Sequence, residues 1–427
     1  MNQLLAFKPR SRRQFFGGSL NRTLSGRSLL AVFTILCAGT CDALEPSSDW
    51  LGFRGDGRGV ATAGPTTLAI GDDGNRAWKR SMPGRSVAGP VIVGDLVVST
   101  SSSGPDEEDL FITGLNLSDG VTRWEQRFRA TGRPYFHPTS ANAAPSPASD
   151  GERIVAFFSS NDLACVSVDG QLLWYRGLGR DYPKTGNDVG MASSPVIAGD
   201  TVVVQVECQG DSFAAGIDLA TGENLWRIQR PAMSNWSSPV ALSTGSSSPT
   251  VILQSREDLI AVDARSGKVQ WSFDEGRDAI ASATVVGDRL LSPGGDLIAY
   301  RLTGKNETPT ELWRENQLSP RNASVVSDGE RLYSLKGSVL LRGDLETGEI
   351  VWKTRLSGLG STWATPVVAE DRIYVFDQTG LGLIIQDGGD EAEITTKVQL
   401  EEGVLGTPAL ANGKLVVRSK TMLHCFK

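Results

Sequence analysis

Residues 216–226 read GIDLATGENLW, and the same order of a small residue, Asp, Thr or Ser, Gly and Trp recurs along the chain. Close copies are AVDARSGKVQW at 261–271 and RGDLETGEIVW at 342–352, and a looser copy is GLNLSDGVTRW at 114–124. An Asp or Asn side chain caps a tight turn, and Gly adopts backbone angles that other residues resist. The pattern therefore predicts a β-hairpin whose second strand carries Trp.

The Trp of this hairpin returns at intervals of roughly 40–50 residues, the length of a propeller blade. The register consists of Trp78, Trp124, Trp174, Trp226, Trp271, Trp313 and Trp352. Each unit also contains two earlier strands, the second of which alternates apolar and polar residues, as in TVVVQV at 201–206. Four short antiparallel strands per unit indicate one blade of a β-propeller, in which the register Trp residues have a structural docking role.

Counting the strands gives eight blades. Seven units are complete, although the seventh has Val398 where the register expects Trp, and the tail after Val404 supplies three strands. Residues 75–80 supply one strand ahead of the first unit. We therefore predict an all-β, eight-bladed propeller of four-stranded antiparallel blades over residues 72–427. The N-terminal strand would join the last blade and close the ring, which removes free strand edges.

Residues 1–43 differ from the body and predict a signal peptide. The segment contains six basic residues and one acidic residue. Its apolar run at 29–38 is well short of the ~20 residues that span a bilayer. Cleavage at Ala43 fits the small residues there, so we expect a periplasmic or secreted protein.

Three alternatives remain open at this terminus. The segment could stay uncleaved as an anchor, and membrane association is expected only through such an N-terminal attachment. The sequence AGTC at 38–41 resembles a lipoprotein box, but Thr is a poor residue before Cys41. The sequence SRRQFF at 11–16 resembles the twin-arginine export motif.

Charge and residue usage exclude several classes of function. The net charge is −7, and removal of residues 1–43 leaves 36 basic against 48 acidic residues, near −12. Such an acidic chain is unsuited to binding nucleic acid through phosphates. Two His residues leave little room for a His-based metal site or triad, and we predict no metal site. For Cys165, Cys208 and Cys425 we favour buried thiols over a bond between the first two.

The recurring hairpin resembles the tryptophan-docking repeat of quinoprotein-type, PQQ-like β-propellers, and the likeness covers about residues 75–427. The sequence WLGFRGDGRG at 50–59, within a leader segment over 44–71, resembles a segment found ahead of such propellers in some secreted bacterial proteins. The superfamily includes quinone-dependent alcohol dehydrogenases, polyvinyl alcohol dehydrogenase-like proteins and the barrel-assembly lipoprotein BamB, which is not an enzyme. The fold alone does not decide between these functions.

The chain departs from the dehydrogenases at their functional residues. It has no vicinal Cys-Cys pair and no Cys-x-x-Cys-His haem motif, and no residues match the family's acidic base or calcium ligands. The resemblance therefore favours a noncatalytic scaffold similar to BamB, with no cofactor. The alternative is a PQQ-dependent alcohol or polyvinyl alcohol dehydrogenase-like oxidoreductase, which would bind PQQ and calcium.

The candidate site lies at the mouth of the propeller channel. Two long loops reach it, at 129–147 and 177–195, and loops of this length are often functional. Trp236 and Trp363 each stand three residues before the Pro of an inner strand, and could either bind a partner or simply plug the channel. The candidate residues for binding a ligand or a protein partner at the mouth are Trp236, Trp363, Arg321, Arg133, Tyr135, His137 and Asn187. A blade face is the other candidate surface for protein partners, and a monomer is expected.

Overall fold

The computed structural model describes residues 49–61, 75–186, 189–242, 249–304 and 306–427. The predicted signal peptide and Asn187 lie outside these ranges. The strands, in chain order, are β1 (Arg76–Ser81), β2 (Val91–Val93), β3 (Leu96–Ser103), β4 (Asp109–Asn116), β5 (Thr122–Arg129), β6 (Ala148–Ser149), β7 (Arg153–Phe157), β8 (Asp162–Ser167), β9 (Leu172–Gly177), β10 (Val196–Ala198), β11 (Thr201–Val206), β12 (Phe213–Asp218), β13 (Asn224–Gln229), β14 (Val240–Leu242), β15 (Thr250–Gln254), β16 (Leu259–Asp263), β17 (Val269–Phe273), β18 (Thr284–Val286), β19 (Arg289–Ser292), β20 (Leu297–Arg301), β21 (Thr310–Glu315), β22 (Val326–Ser327), β23 (Arg331–Lys336), β24 (Val339–Asp344), β25 (Ile350–Arg355), β26 (Val367–Ala369), β27 (Arg372–Phe376), β28 (Leu381–Asp387), β29 (Ala392–Gln399), β30 (Ala409–Ala411), β31 (Lys414–Arg418) and β32 (Met422–Phe426). One short helix, α1 (Leu178–Asp181), follows β9.

These strands form eight four-stranded antiparallel sheets, as predicted. Blades 1 to 7 each consist of four consecutive strands, from β2–β5 to β26–β29. Blade 8 combines β30, β31 and β32 with β1, so that Trp78 pairs with Cys425 across the closure. The ring therefore closes through hydrogen bonds between its first and last strands. The loops that join each outer strand to the next inner strand lie on one face, called here the top face.

The Asp of the recurring hairpin caps its turn. The Asp218 carboxylate accepts the backbone N–H groups of Ala220 and Thr221, at 3.1 and 3.0 Å. Asp344 does the same in blade 6, where its contacts to the N–H groups of Glu346 and Thr347 are 3.0 and 2.8 Å. These carboxylates are occupied by their own turns and lie far apart on separate blades.

The register Trp side chains dock onto the following blade. The indole N–H of Trp174 in blade 2 donates to the Leu219 carbonyl of blade 3, at 2.9 Å. The turn glycine of blade 3, Gly222, has a φ of +74°, and a Cβ there would lie 2.7 Å from the Trp174 ring. Equivalent indole-to-carbonyl bonds join Trp78 to Leu117, Trp124 to Val168, Trp226 to Ala264 and Trp313 to Leu345. Trp352 instead donates to the Asp387 carboxylate, at 3.1 Å.

The hydrophobic core consists of apolar layers between successive blades. One such layer packs Val155 and Leu163 of blade 2 against Val202 and Phe213 of blade 3. Cys165, Cys208 and Cys425 are buried free thiols. Among the residues that the structure describes, no helix is long and apolar enough to cross a membrane.

The described part of the leader, residues 49–61, fills the bottom of the channel. Trp50 exchanges two 2.9 Å backbone hydrogen bonds with Ile92 in an antiparallel bridge, and Val60 bridges Val368 in parallel. Because both partners lie on inner strands that run away from the top face, the leader enters from the bottom, turns near Phe53 and leaves downward. The leader is therefore a hairpin plug inside the ring, a placement that the sequence did not reveal.

Arg54 fixes the apex of this plug and is 1% exposed. Its guanidinium donates to the Thr284 hydroxyl at 2.6 Å and to the Ala283 carbonyl at 2.7 Å. A weaker contact of 3.4 Å reaches the Val325 carbonyl in blade 6. Burial lowers the pKa of Arg54 to about 9, an effect that Asp56 partly offsets. One side chain thus bonds the leader to two neighbouring blades.

Candidate binding site at the mouth of the channel

A belt of hydroxyl groups encircles the channel above the plug. The Ser146 backbone N–H donates to the Ser194 hydroxyl at 3.0 Å, and the Ser194 N–H donates to the Ser238 hydroxyl at 2.9 Å. The same bond from blade to blade continues through Ser282, Ser324, Thr365 and Thr407. Blade 1 contributes Gly89, where a Cβ would lie 2.2 Å from the Thr407 carbonyl oxygen. The Gly89 N–H donates to the Ser146 hydroxyl at 2.9 Å, so the bonds link all eight blades in order from blade 1 to blade 8.

A cavity of about 390 Å³ opens above this belt. Its floor includes Phe53 from the leader, next to the plug residue Arg54. Each blade contributes the side chain two positions before its belt residue: Val87, Ala144, Ala192, Trp236, Ile280, Asn322, Trp363 and Leu405. The position in blade 6 is Asn322, so the predicted placement of Arg321 in this ring is wrong by one residue. Arg321 is exposed and does not line the cavity.

Trp236 and Trp363 both line this cavity, but their environments differ. The Trp236 indole is half-buried, and its N–H donates to the Gly190 carbonyl at 2.8 Å. Trp363 is 41% exposed, which is unusual for so large an apolar side chain. Trp363 is thus available to a molecule that approaches the top face.

His137 lines the same cavity near its rim and is exposed. Its Nδ1 lies 2.8 Å from the Thr139 hydroxyl and accepts the Thr139 backbone N–H at 3.3 Å. A general base needs a partner that orients it toward a reacting proton. The orienting contacts of His137 come from its own loop and involve no carboxylate.

The described lining of the mouth cavity contains no Asp, Glu, Lys or Arg. Calcium binds through several oxygen ligands, among which carboxylates are prominent, and the carboxylates of a quinone such as PQQ require cationic or N–H partners. The lining residues on the described part of the chain therefore do not fit a PQQ–calcium pair. They fit an uncharged, largely apolar group.

A second cavity of about 560 Å³ lies between blades 2 and 3 on the top face, called here the blade 2–3 cavity. Arg133 and Tyr135 line it from the first long loop, with the guanidinium carbon 5.9 Å from the Tyr135 ring centre. The second long loop forms the opposite wall, and Gly190 and Met191 separate this cavity from the mouth. The structure therefore places Trp236, Trp363 and His137 at the mouth cavity, and Arg133 and Tyr135 at the adjacent blade 2–3 cavity.

Glu207 lines the blade 2–3 cavity and belongs to a charge cluster behind it. The Glu207 carboxylate accepts the Arg230 Nε–H at 2.7 Å, and the same guanidinium forms two bonds to Asp258, at 2.9 and 2.6 Å. Burial raises the pKa of Glu207 to about 7, although Arg230 opposes this shift. Sequence reasoning missed Glu207 because the repeat pattern gives no signal for the loop between β11 and β12.

Comparison with known proteins gives one family match. The family model described as outer membrane protein assembly factor BamB matches residues 42–272, 184–301 and 255–392, which together span most of the chain.

Sequence identity to individual known proteins is low, at 12–24% for the three described here. BamB from Moraxella catarrhalis has a TM-score of 0.62 at 19% identity, over 82% of this chain and 97% of that protein. A europium-containing methanol dehydrogenase has a TM-score of 0.64 at 12% identity, over 88% and 90% of the respective chains. A polyvinylalcohol dehydrogenase from Sphingopyxis sp. is 24% identical over 236 residues, which are 46% of this chain and 34% of that protein. The chain thus matches about a third of that relative, and the structural likenesses show the fold alone.

Proposed function

We propose that this chain, which belongs to the family described as outer membrane protein assembly factor BamB, is an exported, noncatalytic scaffold that binds protein partners at its channel mouth. The observation that carries this proposal is the mouth cavity with Trp236 and Trp363 in its wall, whose described lining contains no Asp, Glu, Lys or Arg. A Trp ring offers a large apolar surface at small entropic cost, which makes it a frequent anchor in interfaces.

The position of the leader favours ligand binding at the mouth over transport through the channel or catalysis within it. Because Trp50, Phe53 and Arg54 occupy the channel from below, a ligand reaches the mouth cavity only from the top face. The hydroxyl belt beneath the cavity is already engaged in bonds between blades, so it contributes rigidity. A rigid pocket loses little conformational freedom when a partner side chain enters it.

The family also supports the proposed location. A protein of this family is expected outside the cytoplasm, which agrees with the predicted signal peptide at 1–43 and a periplasmic or secreted product. Membrane attachment would come only from an uncleaved or lipidated N-terminus. A monomer is proposed because β1 pairs with β32 and completes the last blade within one chain, so that no blade needs a strand from a second copy.

A PQQ-dependent alcohol or polyvinyl alcohol dehydrogenase remains the second candidate, because one matched relative is a polyvinylalcohol dehydrogenase. That match covers less than half of the chain. The mouth cavity, moreover, offers no described carboxylate that could act as a base or hold calcium. The residues of the site therefore favour the scaffold.

Replacement of both mouth tryptophans, Trp236→Ala with Trp363→Ala, is expected to abolish partner capture while the protein stays folded. The double variant removes both apolar anchors, and losing an anchor costs ~2 kcal/mol or more of binding free energy. The measurement is affinity capture from an envelope extract of the source cells, with bound proteins quantified by mass spectrometry.

The matched control replaces two exposed apolar residues on outer strands, Val269→Ala with Val351→Ala, which are 47% and 42% exposed. The control should capture the same partners as the unmodified protein. Capture by the tryptophan variant at the unmodified level would show that partners bind elsewhere.

A further inference from the structure

We propose that the partner group entering the mouth cavity is an uncharged loop tip with an apolar side chain, and that Asn322 hydrogen-bonds to its main chain. The inference deepens the proposed function and rests on it, since it names the chemistry of the segment that would occupy the same cavity. Asn322 lies in the cavity wall, at the ring position where the sequence predicted Arg321.

The shape of the cavity limits the occupant to a segment that turns back. Because the leader occupies the channel below Phe53, a chain that enters from the top face must leave by the same face. The volume, about 390 Å³, is at the lower end of the ~300–1,000 Å³ range of ligand pockets. A loop tip or a chain end fits this shape, whereas a strand that passes through the ring does not.

The lining discriminates against charged occupants. Its described residues include no Asp, Glu, Lys or Arg, so neither an ammonium nor a carboxylate group would meet a counterion there. Burying a charge without a partner is costly in free energy. A free chain end carries a charge of its own, so the lining favours a loop tip over a terminus. The side chain at that tip should be apolar, because Trp236, Trp363 and Ile280 stand around it.

Asn322 supplies an amide within reach of a bound loop. The side chain is half-buried, and its Nδ2 donates to the Thr362 carbonyl at 3.3 Å. Its Oδ1 has no partner among the described residues and is not buried, so an acceptor and the second N–H remain for a ligand. The main chain of a loop presents the matching N–H and C=O groups. Because Thr362 directly precedes Trp363, the amide is held next to the main chain of that exposed tryptophan.

The test measures binding of head-to-tail cyclic hexapeptides that differ in one residue, Trp, Leu, Lys or Glu, flanked by glycines. Isothermal titration of the full chain should show saturable binding of the Trp or Leu peptide and about tenfold weaker binding of the Lys and Glu peptides. A linear Leu peptide should bind more tightly with both ends capped than with free ends. Equal binding of charged and apolar peptides, or no saturable binding of any cyclic peptide, would overturn the proposal.

Asn322→Asp tests the amide directly, since it replaces a neutral donor and acceptor with an anion of similar shape. It should weaken binding of the apolar peptides by about fivefold and strengthen binding of the Lys peptide, a reversal that a purely structural role would not produce. The matched control is Asn412→Asp in the turn between β30 and β31, where the amide also donates to a backbone carbonyl, that of Gly94, at 2.7 Å. Unchanged selectivity in Asn322→Asp would contradict the role assigned to this residue.

The outcomes separate this inference from the proposed function. Loss of partner capture in the Trp236 and Trp363 double variant, together with unselective peptide binding, would keep the mouth as the partner site and overturn the loop tip. Normal capture by the double variant, together with selective peptide binding, would overturn the proposed function and leave the preference of the cavity in place.

Discussion

Arg54→Ala is expected to lower the free energy of unfolding by about 3 kcal/mol, through lost hydrogen bonds and a cavity at the plug. The guanidinium now satisfies the Ala283 carbonyl and the Thr284 hydroxyl, and water cannot easily replace it because the site is buried. Part of the loss is offset, since a buried cation is itself costly. The net effect should still be large, because Arg54 bonds the leader to blades 5 and 6.

Chemical unfolding followed by circular dichroism measures this loss. The matched control is Arg58→Ala in the same hairpin, where the side chain forms an ion pair with Asp56 at 2.6 Å near the surface. Such pairs contribute ~0–1 kcal/mol. If Arg54→Ala destabilised the protein no more than Arg58→Ala, the leader would not be an integral part of the propeller.

Gly222→Ala is expected to cost about 3 kcal/mol of stability, from two sources. A residue with a Cβ at φ +74° pays ~1–2 kcal/mol for the left-handed conformation. The new methyl group would also lie 2.7 Å from the Trp174 ring and displace the ring from its contact with blade 3. The substitution therefore tests the contact between blades that the recurring hairpin provides.

Gly287→Ala separates these two contributions. Gly287 has a φ of +57° in a turn of blade 5, but no atom lies within 4 Å of the position that a Cβ would occupy. We expect this variant to lose only the conformational part, and thermal unfolding of both variants measures the difference. Equal losses would mean that the docked Trp174 adjusts without cost.

The blade architecture was predictable because its signals are local. Each Asp-to-Trp hairpin specifies one turn and one outer strand within eleven residues, and its recurrence gives the number of blades. The closing role of β1 followed from the strand count, since the tail provides three strands of a four-stranded blade.

The plug and the two cavities were less accessible to sequence reasoning. Arg54 contacts residues that are about 230 positions away in the sequence, and no local sequence pattern indicates a contact at that separation. Trp236 and Trp363 could be aligned because each stands three residues before a Pro. Blade 6 has no Pro at that position, so the prediction placed Arg321 where Asn322 lies. The belt did have a signal, a Ser or Thr two residues after seven of the eight mouth positions, but its hydroxyls bond between blades and only the closed ring shows this.

A titration of the purified chain with PQQ in the presence of calcium tests the central claim most directly. Absorbance and calorimetry would follow binding, and dye-linked oxidation of primary, secondary and polymeric alcohols would follow activity. The mouth cavity, whose described lining carries no Asp, Glu, Lys or Arg, predicts no saturable binding of PQQ and no oxidation above that of free cofactor. Stoichiometric binding of PQQ together with oxidation of an alcohol would contradict the scaffold and identify the chain as a quinone-dependent dehydrogenase.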